Sequence, residues 1–187
     1  MFIDSNRNNA LRKQILTYSM SSVMTDDERA KLLGLPKGCR IRENAKILCP
    51  ENFRCGEYVW IGEGAILDAS GGLEIGDHTS IGLYVLVWTH TSYMANVTFG
   101  NKIGSELIER KPTKIGRGCF VAGHSVIYSG VTIGDRTVIL PMTVVTKDVP
   151  GNCIIAGSPA SKIRDLTDED IEKEVERIMM SRRQAPS

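Results

Sequence analysis

Aliphatic residues recur every six positions along the second half of the chain. From Lys114 the sequence reads IGRGCF, VAGHSV, IYSGVT, IGDRTV, ILPMTV and VTKDVP. The first positions are Ile115, Val121, Ile127, Ile133, Ile139 and Val145, all Ile or Val. The fifth positions, Cys119, Ser125, Val131, Thr137, Thr143 and Val149, are all small or β-branched. The frame appears earlier through Ile41, Ile47, Phe53, Ile61, Leu67, Ile75, Ile81 and Val87. Two steps there, Phe53 to Ile61 and Leu67 to Ile75, are longer by two residues and read as bulged corners. A six-residue period suits neither a 3.6-residue helix nor sustained two-residue alternation. It predicts a short β segment and a turn, repeated, with three sides closing one triangular coil. Gly, Asn and Asp between the segments supply the turns.

The two ends depart from this pattern. Residues 8–34 carry helical marks, with Leu11, Ile15 and Tyr18 on one face and a capping-box signature, Thr25-Asp-Asp-Glu28. Thr167-Asp-Glu-Asp170 opens a second capped segment whose apolar stripe is Ile171, Val175, Ile178 and Met179. That stripe is expected to pack on the chain's own coil or a neighbour's. The closing SRRQAPS reads as a frayed tail. The expected divisions are a helical region over 1–38, a coil domain over 39–166 with a loop at 88–113, and a helix with tail over 167–187. That loop, about 25 residues long and without periodicity, is expected to carry function, its base fixed by the coil.

Composition narrows the possibilities. The 23 Lys+Arg and 22 Asp+Glu leave a formal charge of +1, which removes the electrostatic footprint of a nucleic-acid binder. No apolar run reaches the length of a membrane span, and the start, MFIDSNRNNALRKQ, does not read as a secretory leader. Five cysteines without a C-x-x-C pair argue against a disulfide framework or zinc ribbon and suit the cytoplasm. Eighteen glycines against eleven aromatic residues fit tight turns around a narrow core.

Three histidines are available. His78, in IGDHTS, reads as a solvated corner residue, and His124, in VAGHSV, as a corner residue that could also face a substrate pocket. His90 stands at the mouth of the long loop, in VLVWTHTSY, where a fixed imidazole could serve as a general base. There is no G-x-S-x-G, P-loop or H-E-x-x-H, and Gly62-x-Gly64 lies within a coil without a following helix.

The repeats, with VVTKDVPGNCIIAGSPASKIRDL after them, resemble the hexapeptide-repeat acyltransferases over roughly residues 41–166, and most of all the sugar and polysaccharide O-acetyltransferases. The resemblance implies a left-handed parallel β-helix, a homotrimer with active sites between subunits, and acetyl-CoA as donor without a metal. The hand is implied by the resemblance alone, since the general crossover rule favours the opposite one. It implies His90 as the catalytic base, acting in direct transfer within a ternary complex. By position it implies Phe120, Gly123, Pro141, Thr146, Lys147 and Arg164 as cofactor contacts. The match is weaker at Pro141, because Ile139-Leu-Pro-Met-Thr143 replaces a glycine-bearing turn. Asp68, in AILDASGG, is the candidate acceptor-binding carboxylate, with His124 as a second acceptor contact. The expected acceptor is a hydroxyl of a sugar, polysaccharide precursor or nucleotide sugar. Transfer to an amino sugar or xenobiotic amine, or a non-catalytic scaffold, are the alternatives. A β-helical zinc enzyme needs histidine ligands spaced unlike these three.

Overall fold

The computed structural model describes residues 24–99 and 104–184. The expected helical positions Leu11, Ile15 and Tyr18, and the final residues 185–187, lie outside them.

The chain winds into a three-faced parallel β-solenoid. The first face stacks Arg40–Ile41, Trp60–Ile61, Ser80–Ile81, Phe120–Val121, Thr137–Ile139 and Cys153–Ala156. The second stacks Lys46–Leu48, Ile66–Asp68, Leu86–Val87, Val126–Ile127 and Val144–Val145. The third stacks Phe53–Cys55, Leu73–Ile75, Thr113–Ile115 and Thr132–Ile133. All these pairings are parallel and keep like residues in line: Ile41 beside Ile61 beside Ile81 beside Val121 beside Ile139 beside Ile155. Each six-residue first position is an inward rung, and Ile61, Leu67, Ile81, Val87, Val121, Ile127, Ile139 and Val145 are 0% exposed. Burial of each aliphatic side chain contributes roughly 1.5–3 kcal/mol. The small fifth positions complete the corners, and their polar atoms bond to backbone. Thr79 Oγ1 donates to the Gly116 carbonyl (2.7 Å) and Thr143 Oγ1 to the Leu140 carbonyl (2.6 Å).

The frame needs one correction. Cys55, not Phe53, pairs with Ile75, which pairs with Ile115. The first long step therefore runs from Ile47 to Cys55, around the left-handed Cys49 and a 3-10 turn at Pro50–Asn52. Phe53 also points inward, at 6% exposure, because it lies two residues from Cys55 on the same side of the strand.

Two corners are built on left-handed residues. Gly38, Tyr58, His78, Gly118, Arg136 and Asn152 line one, and Asn44, Gly64, Tyr84, His124 and Met142 the other, all with φ between 54° and 72°. This conformation costs a non-glycine residue about 1–2 kcal/mol. From Tyr58 on, the coil below offsets this at the non-glycine corners by accepting the corner N–H, as Glu57 does from His78 (2.9 Å) and Arg117 from Arg136 (2.8 Å). Stacking adds to this: Tyr58 lies over His78 at 5.0 Å and Tyr84 over His124 at 5.3 Å. Both histidines are exposed corner residues.

Helix α1, Asp26–Leu32, begins with the expected capping box at Thr25 and Glu28. Its Arg29 is 4% exposed and donates through Nε to the Ile41 carbonyl (2.9 Å), so α1 covers the first coil. At the other end Ser161–Asp165 runs antiparallel to Cys153–Ala156 and leads into a C-terminal helix, Asp168–Gln184. Thr167 caps that helix, accepting the Asp170 N–H at Oγ1 (3.1 Å) while its own N–H donates to Asp170 Oδ2 (3.0 Å). One expectation fails here: Ser181–Gln184 is helical, not a frayed tail. Of the two packings expected for the stripe, the one on its own coil is not seen, since Val175, Ile178 and Met179 are 49%, 39% and 55% exposed.

Candidate active site

The longest departure from regular winding among the described residues is at the corner between the second and third faces. After Leu86–Val87 the chain leaves as an arm. Its base is an antiparallel ladder in which His90 pairs with Arg110 and Thr91 with Glu109. A short helix α2, Tyr93–Val97, and a 3-10 turn, Gly104–Leu107, lie beyond. The neck is closed by two bonds: Lys111 N–H to the Thr89 carbonyl (2.8 Å) and Thr113 Oγ1 to the Trp88 carbonyl (2.8 Å). Below the neck lies Gly71, where a Cβ would collide with the Thr89 carbonyl and crowd the Lys111 amide. Glycine is needed here for close approach.

His90 is thus fixed through its backbone by the ladder. Its side chain is fixed by Asp68, one coil below at the same corner. His90 Nδ1 lies 2.6 Å from Asp68 Oδ2 and 3.1 Å from Ser70 Oγ. Asp68 is 1% exposed, and both oxygens are engaged. Oδ1 accepts the Ser70 N–H (3.0 Å), and Oδ2 accepts the Thr89 N–H (2.9 Å) and hydroxyl (3.0 Å). The Thr89 hydroxyl in turn accepts from the Gly71 N–H (2.8 Å). Burial pushes the Asp68 carboxyl pKa up, but donation from the Ser70 and Thr89 backbones, His90 and the Ser70 side chain outweighs it, holding the value at about 2. The carboxylate is therefore ionised and can only accept. It accepts a hydrogen bond from Nδ1–H, and in that tautomer the ring's lone pair lies on Nε2. His90 is 30% exposed, and Trp88 meets it edge-on, with ring centroids 6.0 Å apart.

Asp68 was expected to meet the acceptor. The structure turns it away from solvent and against the imidazole, with no oxygen left over for a sugar hydroxyl. The 20-residue coil is what brings these partners to His90: Ser70 lies one coil below it, and Asp68 two residues before Ser70.

The other candidates divide into two groups. Thr146 and Lys147 follow Val145 as Trp88 and Thr89 follow Val87, so they stand on the His90 edge, two coils further on. That is about 10 Å at the usual strand spacing. Tyr128 stands between them, 52% exposed. Lys147 has no ion-pair partner among the described residues. Phe120 lies on the first face, 50% exposed, with Gly123, His124 and Pro141 at the adjoining corner. Arg164 continues the outward row of Phe120, Val138 and Ile154 and pairs with Asp170 (3.1 Å). One chain does not bring the two groups together. Among the described residues, no cluster of three or more His, Cys, Asp or Glu could hold a metal, and no helix is long and apolar enough to cross a membrane.

Comparison with known proteins accords with this architecture. The bacterial transferase hexapeptide (six repeats) family matches residues 112–147. WcaF of Escherichia coli K12, named for colanic acid biosynthesis as an acetyltransferase, is 31% identical over 72% of this chain and 70% of its own. The galactoside O-acetyltransferase of the same strain is 31% identical over 86% of this chain and 80% of its own. The hexapeptide-repeat acetyltransferase VCA0836 of Vibrio cholerae, solved with acetyl coenzyme A, superposes with a TM-score of 0.54 at 27% identity, covering 88% of this chain and 92% of that one. A repeat that fixes the coil and two relatives matched over most of their length lead to one assignment: the chain belongs to the hexapeptide-repeat acetyltransferases.

Proposed function

We propose that this protein transfers an acetyl group from acetyl-CoA to a hydroxyl of a saccharide, with His90 as general base. The observation that carries this reading is the buried Asp68 against His90 Nδ1 at the base of the arm. Acetyl-CoA would supply the activated thioester. His90 Nε2 takes the acceptor hydroxyl proton as that oxygen attacks the thioester carbon. The proton then passes from His90 to the departing thiolate, which restores the neutral imidazole. Asp68 stabilises the transient imidazolium and keeps the ring oriented. Both substrates are bound together, so no acyl group rests on the protein.

The edge bearing Tyr128, Thr146 and Lys147 suits an extended pantetheine arm, and a free ammonium suits a phosphate. Phe120, Gly123, His124, Pro141 and Arg164 lie elsewhere on the prism. They complete the same site only if a neighbouring subunit presents them, which favours a homotrimer with three intersubunit sites. A saccharide acceptor is supported by the likeness to galactoside O-acetyltransferase and WcaF, and by Trp88 beside His90, whose ring suits a sugar face. All five cysteines are free, in keeping with a reducing cytoplasm.

The test is release of CoA thiol from acetyl-CoA across a panel of free sugars, oligosaccharides and nucleotide sugars. A saccharide-dependent signal is expected. In His90→Ala it should fall about 100- to 10,000-fold with the fold unchanged. Thiol release that no saccharide stimulates, or a His90→Ala enzyme within a few-fold of wild type, would refute the assignment.

A further inference from the structure

The C-terminal helix Asp168–Gln184, here α3, has no covering on its own chain. Every residue from Glu172 to Arg183 is exposed. Its first turn is tied to the coil by Arg136–Asp168 and Arg164–Asp170 ion pairs, so its direction is set. A lone helix of this length is marginal in water, and helices in proteins are held mainly by burying an apolar face. Ile171, Val175 and Ile178 recur at steps of four and three, and Arg182 follows four later, which is the spacing of a coiled-coil seam.

The charge along α3 selects the occupant. Asp168, Glu169, Asp170, Glu172, Glu174 and Glu176 crowd the first half, where Lys173 is the one base and pairs with Glu169, whereas Arg177, Arg182 and Arg183 lie in the second, which has no acid. A parallel copy would set acid against acid. An antiparallel copy sets each acidic half against a basic one, the self-complementarity that a two-fold axis demands.

We propose that α3 pairs antiparallel with α3 of a second copy, about an axis passing between Val175 and Ile178. The apolar stem of Arg182 then covers the partner's Ile171, with its guanidinium beside the acidic first half of the partner helix. Pairing leaves the coil and the His90 corner free. In a protein whose coils form rings of three, it joins two rings back to back.

Light scattering on the full-length protein tests this. Val175→Asp with Ile178→Asp should halve the particle mass while circular dichroism and acetyl transfer stay at wild-type levels. Arg182→Glu with Arg183→Glu should likewise halve it at moderate concentration. Adding Glu172→Arg and Glu174→Arg to that chain should restore the original mass, since symmetry makes each half meet the other. An unchanged mass in either first variant overturns the pairing. So does failure of the four-fold charge reversal to recover it, which would seat the helix on some other surface. Because mass and activity are read separately, failure of the pairing is distinguishable from failure of the proposed chemistry.

Discussion

Asp68 and His90 stand 22 residues apart in sequence and 2.6 Å apart in space, one coil above the other at a single corner. The contact exists because the coil there is 20 residues long, as the Ile61–Ile81 pairing shows, so the end of one strand lies beneath the start of the arm.

Asp68→Asn should keep the shape of this corner but remove the anion that fixes the tautomer. An amide can donate to Nδ1, which would place the proton on Nε2 and disable the base. A fall in kcat of about 100-fold or more is expected, with KM for acetyl-CoA within a few-fold. Steady-state kinetics on wild type and variant would show it. A change confined to KM would mean that Asp68 serves binding.

Acid stability should report the same carboxylate. Its pKa is held at about 2 against an ordinary 3.8, so between those values the unfolded chain binds more protons than the folded one. The stabilisation is fully present above about pH 4 and is lost as pH falls toward 2. Linkage puts it at about 2 kcal/mol. Urea unfolding at pH 5, 4, 3 and 2 should show the stability gap between wild type and Asp68→Asn closing by about that amount across the window. A gap constant with pH would contradict the depressed value.

Gly71→Ala should harm catalysis more than folding. The added methyl meets the Thr89 carbonyl at the neck of the arm and must push the arm's base outward. A loss of about 1–3 kcal/mol is expected from overpacking. Turnover should fall at least ten-fold, because Thr89 and His90 move with the backbone. Thermal melting and turnover measured together separate the two effects.

Ile127→Ala removes a rung that is 0% exposed and stacked between Val87 and Val145. Neighbouring rungs are held by backbone ladders and cannot close the gap, so a loss of about 2–5 kcal/mol is expected in denaturant unfolding.

The rungs were legible in the sequence because an inward aliphatic every sixth residue is what a three-sided coil requires. The register near Phe53 was not, because Phe53 and Cys55 point the same way and the pattern tolerates either as the rung. His90 could be singled out from its place at the loop's mouth. The role of Asp68 could not, since a carboxylate at a turn looks the same whether it faces solvent or an imidazole. Counting one 20-residue coil back from His90 reaches Ser70, and that arithmetic is the signal that points to this corner. The α3 stripe was visible as a pattern, but periodicity says which side of a helix is apolar and not what meets it.

The ladder passes from Ile81 to Val121 without a break in register, although the whole arm intervenes. The arm is therefore an outgrowth that the stack does not count. It can lengthen, shorten or change composition without shifting a single layer, so its tip is free to vary while the corner that anchors the imidazole stays as it was.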